Sequence, residues 1–448
     1  MSGLGGTAGD GRAAGHASGL RRWLDRRVLS LGVTLCDQAI VSCANFLLNV
    51  LLLKGMGLEA FGVFSLCWVV AMVAMYVQVG LIVCPLLSIG PKQPAAEARA
   101  YHTAGLAQLA VFSTAAFALI WFGMGAIGPL VTQAAGLEDT ALPLGVAVAA
   151  VLMQDGVRRT LFARARPLAA LANDAVTYWV RLAFIAWVTT TGLTLTVAGT
   201  LWVFAATAGL GAALGIVQFG RLELNGRIMR GAVVRHWASG KWLAASGIMQ
   251  WFLQSVFVVA AGALAGPAAV GVLRAGQTLV GLLTVLLQAL ENILPQHASQ
   301  ALLNGGRPAL LRFLGVAAVA SLVPAGLIVA VLAAFPAFWI GLIFGPELLP
   351  YRTVLVWQAL TVLLTIATLL PTYGLRALER TRASFTATVI GAALSAAVAG
   401  PCVTLWGVEG ATAGQMLVQF TMAVWLAVAL SGCLREHDTG PHRDNSVA

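Results

Sequence analysis

Two arginines, Arg181 and Arg274, stand inside long apolar stretches of this chain. A guanidinium in hydrocarbon is costly unless a partner or water meets it. Its planar fork of donors matches phosphate oxygens, so each arginine is a candidate anion ligand. Three carboxylates, Asp37, Asp174 and Glu291, share that setting. Each either holds a coupling cation or neutralises an arginine. Asp155, Arg158 and Arg159 are spaced for an ion-pair network near one end of a helix.

At an advance of about 100° per helical residue, the polar side chains fall into stripes. Gln38, Ser42, Asn45 and Asn49 share a sector of about 60°, with Asp37 at its edge. Asp174, Thr177, Tyr178 and Arg181 cover about 100° of one face. Arg274, Gln277, Thr278, Thr284, Gln288, Glu291 and Asn292 share about 140°. Ser246, Gln250 and Gln254 form another stripe, as do Gln358, Thr361, Thr365, Thr368 and Thr372. A water-filled chamber explains these stripes together; hydrogen bonding between helices explains any single Thr or Gln as well. The candidate chamber ligands are Arg181, Arg274, Asp37, Asn45, Asn49, Asp174, Tyr178, Gln277, Gln288 and Glu291. The stripes on the eighth and tenth apolar segments are expected to hydrogen-bond a polar ligand.

Other chemistries find no support. The six histidines are scattered among loops, segment ends and tails, with no metal-ligand spacing. The six cysteines form no C-x-x-C pair and read as small buried hydrophobes. No Walker-type loop and no G-x-S-x-G elbow occurs. The longest outer loop, residues 125–140, offers only Glu138 and Asp139 as acids. The expectation is a non-enzyme without cofactor or metal.

The elements that position these residues follow from composition. Of 448 residues 59% are hydrophobic and 10% charged, with mean hydropathy +0.87. Soluble domains carry about 25% charged residues, so lipid must be the solvent for most of this chain. A crossing helix needs roughly 20 apolar residues. The apolar runs predict twelve: 28–53, 61–89, 102–124, 141–162, 169–191, 197–219, 242–264, 268–294, 310–335, 354–375, 384–405 and 411–434. The net charge of +10 does not indicate nucleic acid, because the basic residues recur in short loops. With both chain ends in the cytoplasm, 23 of the 27 Lys and Arg fall on that side. Only Lys54 and Arg352 fall outside, and Arg181 and Arg274 lie within the bilayer.

An internal repeat is visible. Residues 57–62 (GLEAFG) and 266–271 (GPAAVG) follow the first and seventh segments, while 161–166 (LFARAR) and 375–380 (LRALER) end the fourth and tenth. The offsets, 209 and 214 residues, are nearly equal. Two pseudo-symmetric six-helix bundles are therefore expected around a central cavity, an all-α integral membrane fold with its ligand at the repeat interface. The expected division is a basic N-terminal segment (1–27), an N-terminal bundle (28–220), a basic linker suited to an interfacial helix (221–241), a C-terminal bundle (242–434) and a tail (435–448).

Several stretches resemble the MOP (multidrug/oligosaccharidyl-lipid/polysaccharide) flippase superfamily, in its polysaccharide-transporter or O-antigen flippase-like branch. They are Asp37-Gln38-Ala39 with residues 45–49 (NFLLN) leading into 57–62; residues 154–164 (QDGVRRTLFAR) with Asn173-Asp174; residues 266–271 with Arg274, Gln277 and 288–292 (QALEN); and residues 375–380. The resemblance covers nearly the whole chain. It implies a V-shaped cavity between two bundles and alternating access. It also implies export of undecaprenyl-diphosphate-linked oligosaccharide, or handling of an exopolysaccharide precursor, across a bacterial inner membrane. A polysaccharide polymerase and glycosyltransferases are the implied partners, besides membrane lipid and the lipid-linked glycan. Arg181 and Arg274 would then meet the diphosphate. A cation-coupled multidrug exporter of the same superfamily, and a non-transporting scaffold of a glycan-assembly complex, are the alternatives.

Overall fold

The computed structural model describes the backbone of residues 10–131 and 140–436, and the side chains of 40–124, 140–281, 283, 287, 290, 294, 295 and 297–434. Asp37, Glu138, Asp139, Thr284, Gln288, Glu291 and Asn292 have side chains outside the described residues.

Among the described residues the chain is helical throughout, without strands. The main helices are α1 (Asp10–Gln78), α2 (Cys84–Ile89), α3 (Ala95–Val131), α4 (Ala141–Ala163), α5 (Pro167–Thr190), α6 (Val197–Phe219), α7 (Gly226–Ala265), α8 (Pro267–Leu279), α9 (Gly281–Ala334), α10 (Pro336–Ile343), α11 (Arg352–Ala377) and α12 (Thr381–Glu436). Nine stretches of the described residues are long and apolar enough to cross a bilayer. Gly57 and Gly407 break two of them, and α8 with α9 up to the break at Gly305–Gly306 adds one more. The result is twelve crossing elements in the expected order. Only 11% of the most apolar window of α12 is buried. A soluble core helix could not leave so apolar a face uncovered, so lipid is its neighbour.

Boundaries follow local chemistry. Helix α6 spans 197–219 as the apolar run predicts, and the Thr196 side chain accepts from Gly199 N at 3.1 Å to cap it. Helix α7 starts much earlier than its apolar run. Asn225 caps it, accepting from Arg227 N (3.1 Å) and Ile228 N (3.2 Å), and the helix continues unbroken to Ala265. Its 40 residues extend about 60 Å, twice the hydrocarbon thickness of about 30 Å. Residues 226–241 are thus the first turns of α7. They bury Ala232, His236 and Gly240, and expose Val233, Val234, Trp237 and Lys241. His236 joins Tyr101 Oη (2.7 Å) and Gln108 Oε1 (2.9 Å) of α3.

The repeat reappears as backbone geometry. Gly57 (φ 79°, ψ 170°) and Gly266 (φ 86°, ψ 172°) turn the chain alike before α1's second crossing and before α8. That conformation is open almost solely to glycine. The two turns also meet. A Cβ on Gly62 would overlap the carbonyl oxygen of Pro267, and one on Gly271 would overlap that of Leu58. Both pairs are related by the same offset of 209 residues, so this contact is reciprocal across the pseudo-twofold axis. At the other repeat, α4 and α11 end in the same cap. Arg166 N reaches Leu161 O (3.0 Å) and Arg380 N reaches Leu375 O (2.8 Å), with Ala165 (φ 55°) and Glu379 (φ 58°) in the left-handed region.

In the N-terminal half α4 packs between α3 and α6, and α5 packs on α1 and α6. In the C-terminal half α11 packs on α8, α9 and α12, and α12 on α7. Helix α1 meets α8 and α7, and one apolar cluster containing Leu52, Phe61, Val270, Leu273 and Phe257 crosses between the halves.

Candidate functional site

A cavity of about 660 Å³ opens where α1, α4, α5, α6 and α8 converge. Arg181 enters it from α5 and Arg274 from α8, one from each half. Asn45, Asn49, Tyr178 and Gln277 line the same space.

Arg181 is 3% exposed, and its guanidinium is built into the wall. Its Nε donates to Thr207 Oγ1 at 3.0 Å. Its Cζ lies 3.9 Å from the centroid of the Phe204 ring and 5.5 Å from that of Tyr178. Phe204 packs on Phe64 and on Trp68, both at 5.3 Å between centroids. Ring faces hold a cation electrostatically without neutralising it. Arg274 is half-buried, and its Nη1 donates to Gln277 Oε1 at 3.0 Å. Neither arginine has a carboxylate within ion-pair distance among the described residues.

The nearby acids are engaged elsewhere. Asp155 touches the cavity but accepts from Arg159 Nε at 2.7 Å and lies 3.8 Å from Arg158 Nη1. Asp174 is fully buried and outside the lining, held by Arg158 Nε and by Gln154 Nε2 (3.0 Å). Gln154 also donates to Asn173 Oδ1 at 2.9 Å. Two carboxylates and two guanidiniums thus close on themselves across the α4–α5 hairpin. The uncompensated charge on the described cavity wall is positive and comes from Arg181 and Arg274. Among the described residues no group of three His, Cys, Asp or Glu could hold a metal ion.

No known protein family profile matches the chain, and no curated protein matches it in sequence. Solved structures do. A multidrug resistance MATE family transporter of the MOP superfamily, in its inward-facing conformation, superposes with a TM-score of 0.66 at 12% identity, over 90% of this chain and 99% of that one. The lipid II flippase MurJ, inward closed, gives 0.68 at 12% identity over 90% and 87%. The fold is that of the MOP superfamily. A MOP superfamily transporter from Pyrococcus furiosus, described as having a binding pocket of reversed polarity, gives 0.57 at 14% identity over 91% and 95%. At these identities the MOP likeness carries architecture and no substrate.

Within this MOP fold the sequence-predicted residues divide. Arg181, Arg274, Asn45, Asn49, Tyr178 and Gln277 come together. Asp174 does not join them, because the three-residue turn after α4 folds α5 back and delivers its carboxylate to Arg158. Asp37, Gln288 and Glu291 lie outside the described side chains. The tenth-segment stripe, now in α11, is not among the residues lining this cavity. Thr361, Thr365 and Thr372 donate to the carbonyls of Trp357, Thr361 and Thr368 four residues back, and Thr368 to Thr365 O three back. Gln358 Nε2 donates to Gln415 Oε1 at 2.9 Å. A helical threonine can satisfy its hydroxyl proton in this way, so its periodicity alone does not mark a ligand face. Sequence reasoning missed the aromatic and methionine wall of Phe46, Phe64, Trp68, Met72, Met75 and Phe204. Such residues carry no contrast against the apolar background of a membrane helix.

Proposed function

We propose that this protein is a membrane transporter that moves an anionic, lipid-linked substrate of the lipid-diphosphate oligosaccharide class across the bilayer by alternating access. One observation carries the reading: Arg181 and Arg274, contributed by different halves, face one cavity while the described carboxylates nearby are bound to Arg158 and Arg159. A diphosphate would span two guanidiniums that a rocking motion of the halves moves relative to each other. The ring faces of Phe46, Trp68 and Phe204 would pack against the isoprenoid or sugar. The two pseudo-symmetric bundles are the bodies that rock. The basic end faces the cytoplasm of a bacterial inner membrane. Glycosyltransferases and a polymerase acting on the same lipid are the matching partners, and the chain itself does no covalent chemistry.

The same aromatic and methionine wall suits a flat organic cation, and a MATE multidrug transporter shares the fold. That second reading requires a cation to enter a cavity bearing two guanidiniums with no carboxylate partner among the described residues, which repel it. Proteoliposomes separate the two. Translocation of a fluorescent polyprenyl-diphosphate oligosaccharide is expected, and Arg274→Ala should slow it at least about tenfold with protein abundance unchanged. Full translocation by that variant would remove Arg274 from the site. Efflux of a cationic dye by the wild type, without lipid flipping, would establish the exporter instead.

A further inference from the structure

A second cavity lies at the basic end of the C-terminal half, sharing no lining residue with the first. Its volume is about 440 Å³. Arg307, Arg376 and Arg380 line it, with Glu379 the one acid among them. Leu302 and Leu303 complete an apolar side, and Leu303 is 83% exposed.

Comparison with the other repeat shows what is unusual here. At the α4 cap both arginines are used internally: Arg164 Nη1 donates to Phe219 O at 2.7 Å and Arg166 Nη1 to Gln218 O at 2.8 Å, closing the end of α6. At the α11 cap the counterpart of Arg164 is Leu378, which has no such donor. The carbonyl near the end of α12, Leu434 O, is taken instead by Arg307 Nη1 at 2.6 Å. Arg307 comes from the break inside α9, not from the cap. Arg376 and Arg380 are exposed at the mouth, with the Arg376 guanidinium 5.2 Å from the centre of the Tyr373 ring.

We propose that this cavity binds the phosphate of an anionic lipid headgroup. Three guanidiniums against one carboxylate favour a phosphate. The exposed Leu303, with the half-buried Leu302 beside it, favours a phosphate that carries acyl chains over a free ion. The position suits it as well, since α8 with the first part of α9 ends its crossing here and α11 ends at its cap, where headgroups lie. The site is separate from the transport cavity and would anchor the C-terminal half to one leaflet.

The test is native mass spectrometry of the full-length protein in mild detergent, titrated with short-chain phosphatidylglycerol or phosphatidylcholine. Phosphatidylglycerol should be retained in preference to phosphatidylcholine. The double variant Arg376→Ala/Arg380→Ala should bind it roughly tenfold more weakly. Glu379→Gln, a surface change that removes the acid, should bind it more tightly and so gives an opposite reading independent of the arginine variant's stability. Equal retention of the two lipids, or an affinity untouched by either variant, would overturn the proposal. Displacement of phosphatidylglycerol by millimolar inorganic phosphate would assign the arginines to a free phosphate and remove the lipid.

Discussion

Two groups of charged side chains lie side by side at the cavity and obey opposite rules. Asp155, Arg158, Arg159 and Asp174 neutralise one another, and their polar atoms meet partners on α4 and α5. Arg181 sits two turns farther along α5, with rings and a hydroxyl for company, and Arg274 faces the same space from α8. The first group is closed, so its charges hold two helices together. The second keeps charge that no described carboxylate cancels, which an incoming anion would. The difference teaches that an ionisable residue in a membrane helix is informative through its partner, not through its presence.

The comparison breaks first at Arg158. Arg158→Ala removes the guanidinium that faces the fully buried Asp174. Stranding one member of a buried ion pair costs about 3–5 kcal/mol, so the variant should lose most of its unfolding midpoint in detergent and accumulate poorly. Arg158→Met with Asp174→Asn removes both charges together and should recover most of that loss. If the single variant were as stable as the double, the closed network would not be structural.

Next come the open arginines. Arg181→Met and Arg274→Met should each cut lipid translocation by about tenfold or more, because each removes a charge-assisted contact to the anion. Neither strands a carboxylate among the described residues, so stability should shift by no more than about 1 kcal/mol. Loss of activity that merely tracks loss of abundance would merge the two groups and end the distinction.

A third test addresses the frame that brings the arginines together. Gly62→Leu or Gly271→Leu drives a side chain into the facing carbonyl across the halves. Overpacking of this kind costs about 1–3 kcal/mol. Because the contact is reciprocal, the two variants should have similar effects on thermal stability. A large effect from one and none from the other would show that the halves do not meet symmetrically.

Much of this frame is legible in the sequence because lipid imposes one simple demand. Residues 197–219 could be bounded to the residue, since an apolar run and a capping threonine coincide there. The repeat was legible because glycine at 57 and 266 answers a backbone requirement that few residues meet. The start of α7 was not, because residues 226–241 carry charges and look like a loop although one face is buried on α3. Asp174 was misplaced for a related reason. Its stripe with Tyr178 and Arg181 is real, but a face about 100° wide can serve the cavity at one end and a neighbouring helix at the other. The threonines of α11 show the converse, a regular stripe bonded to its own helix and outside the cavity lining.

The mildest test uses a group native to the cavity wall. Cys43 is exposed and lines the space that holds both arginines, whereas Cys67 is buried among apolar side chains. A thiol reagent reacts by access and thiolate character, so a small water-soluble maleimide should label Cys43 and spare Cys67. Cys43→Ser should leave translocation within about a factor of two, since the change is small and strands no buried charge. The informative readout is protection. A polyprenyl-diphosphate substrate should slow labelling of Cys43 in the wild type and fail to do so in Arg181→Met, whose closed network of Asp155, Arg158, Arg159 and Asp174 is intact. Protection that survived loss of Arg181 would mean the anion is held elsewhere, and the contrast between paired and unpaired charge would no longer locate the site.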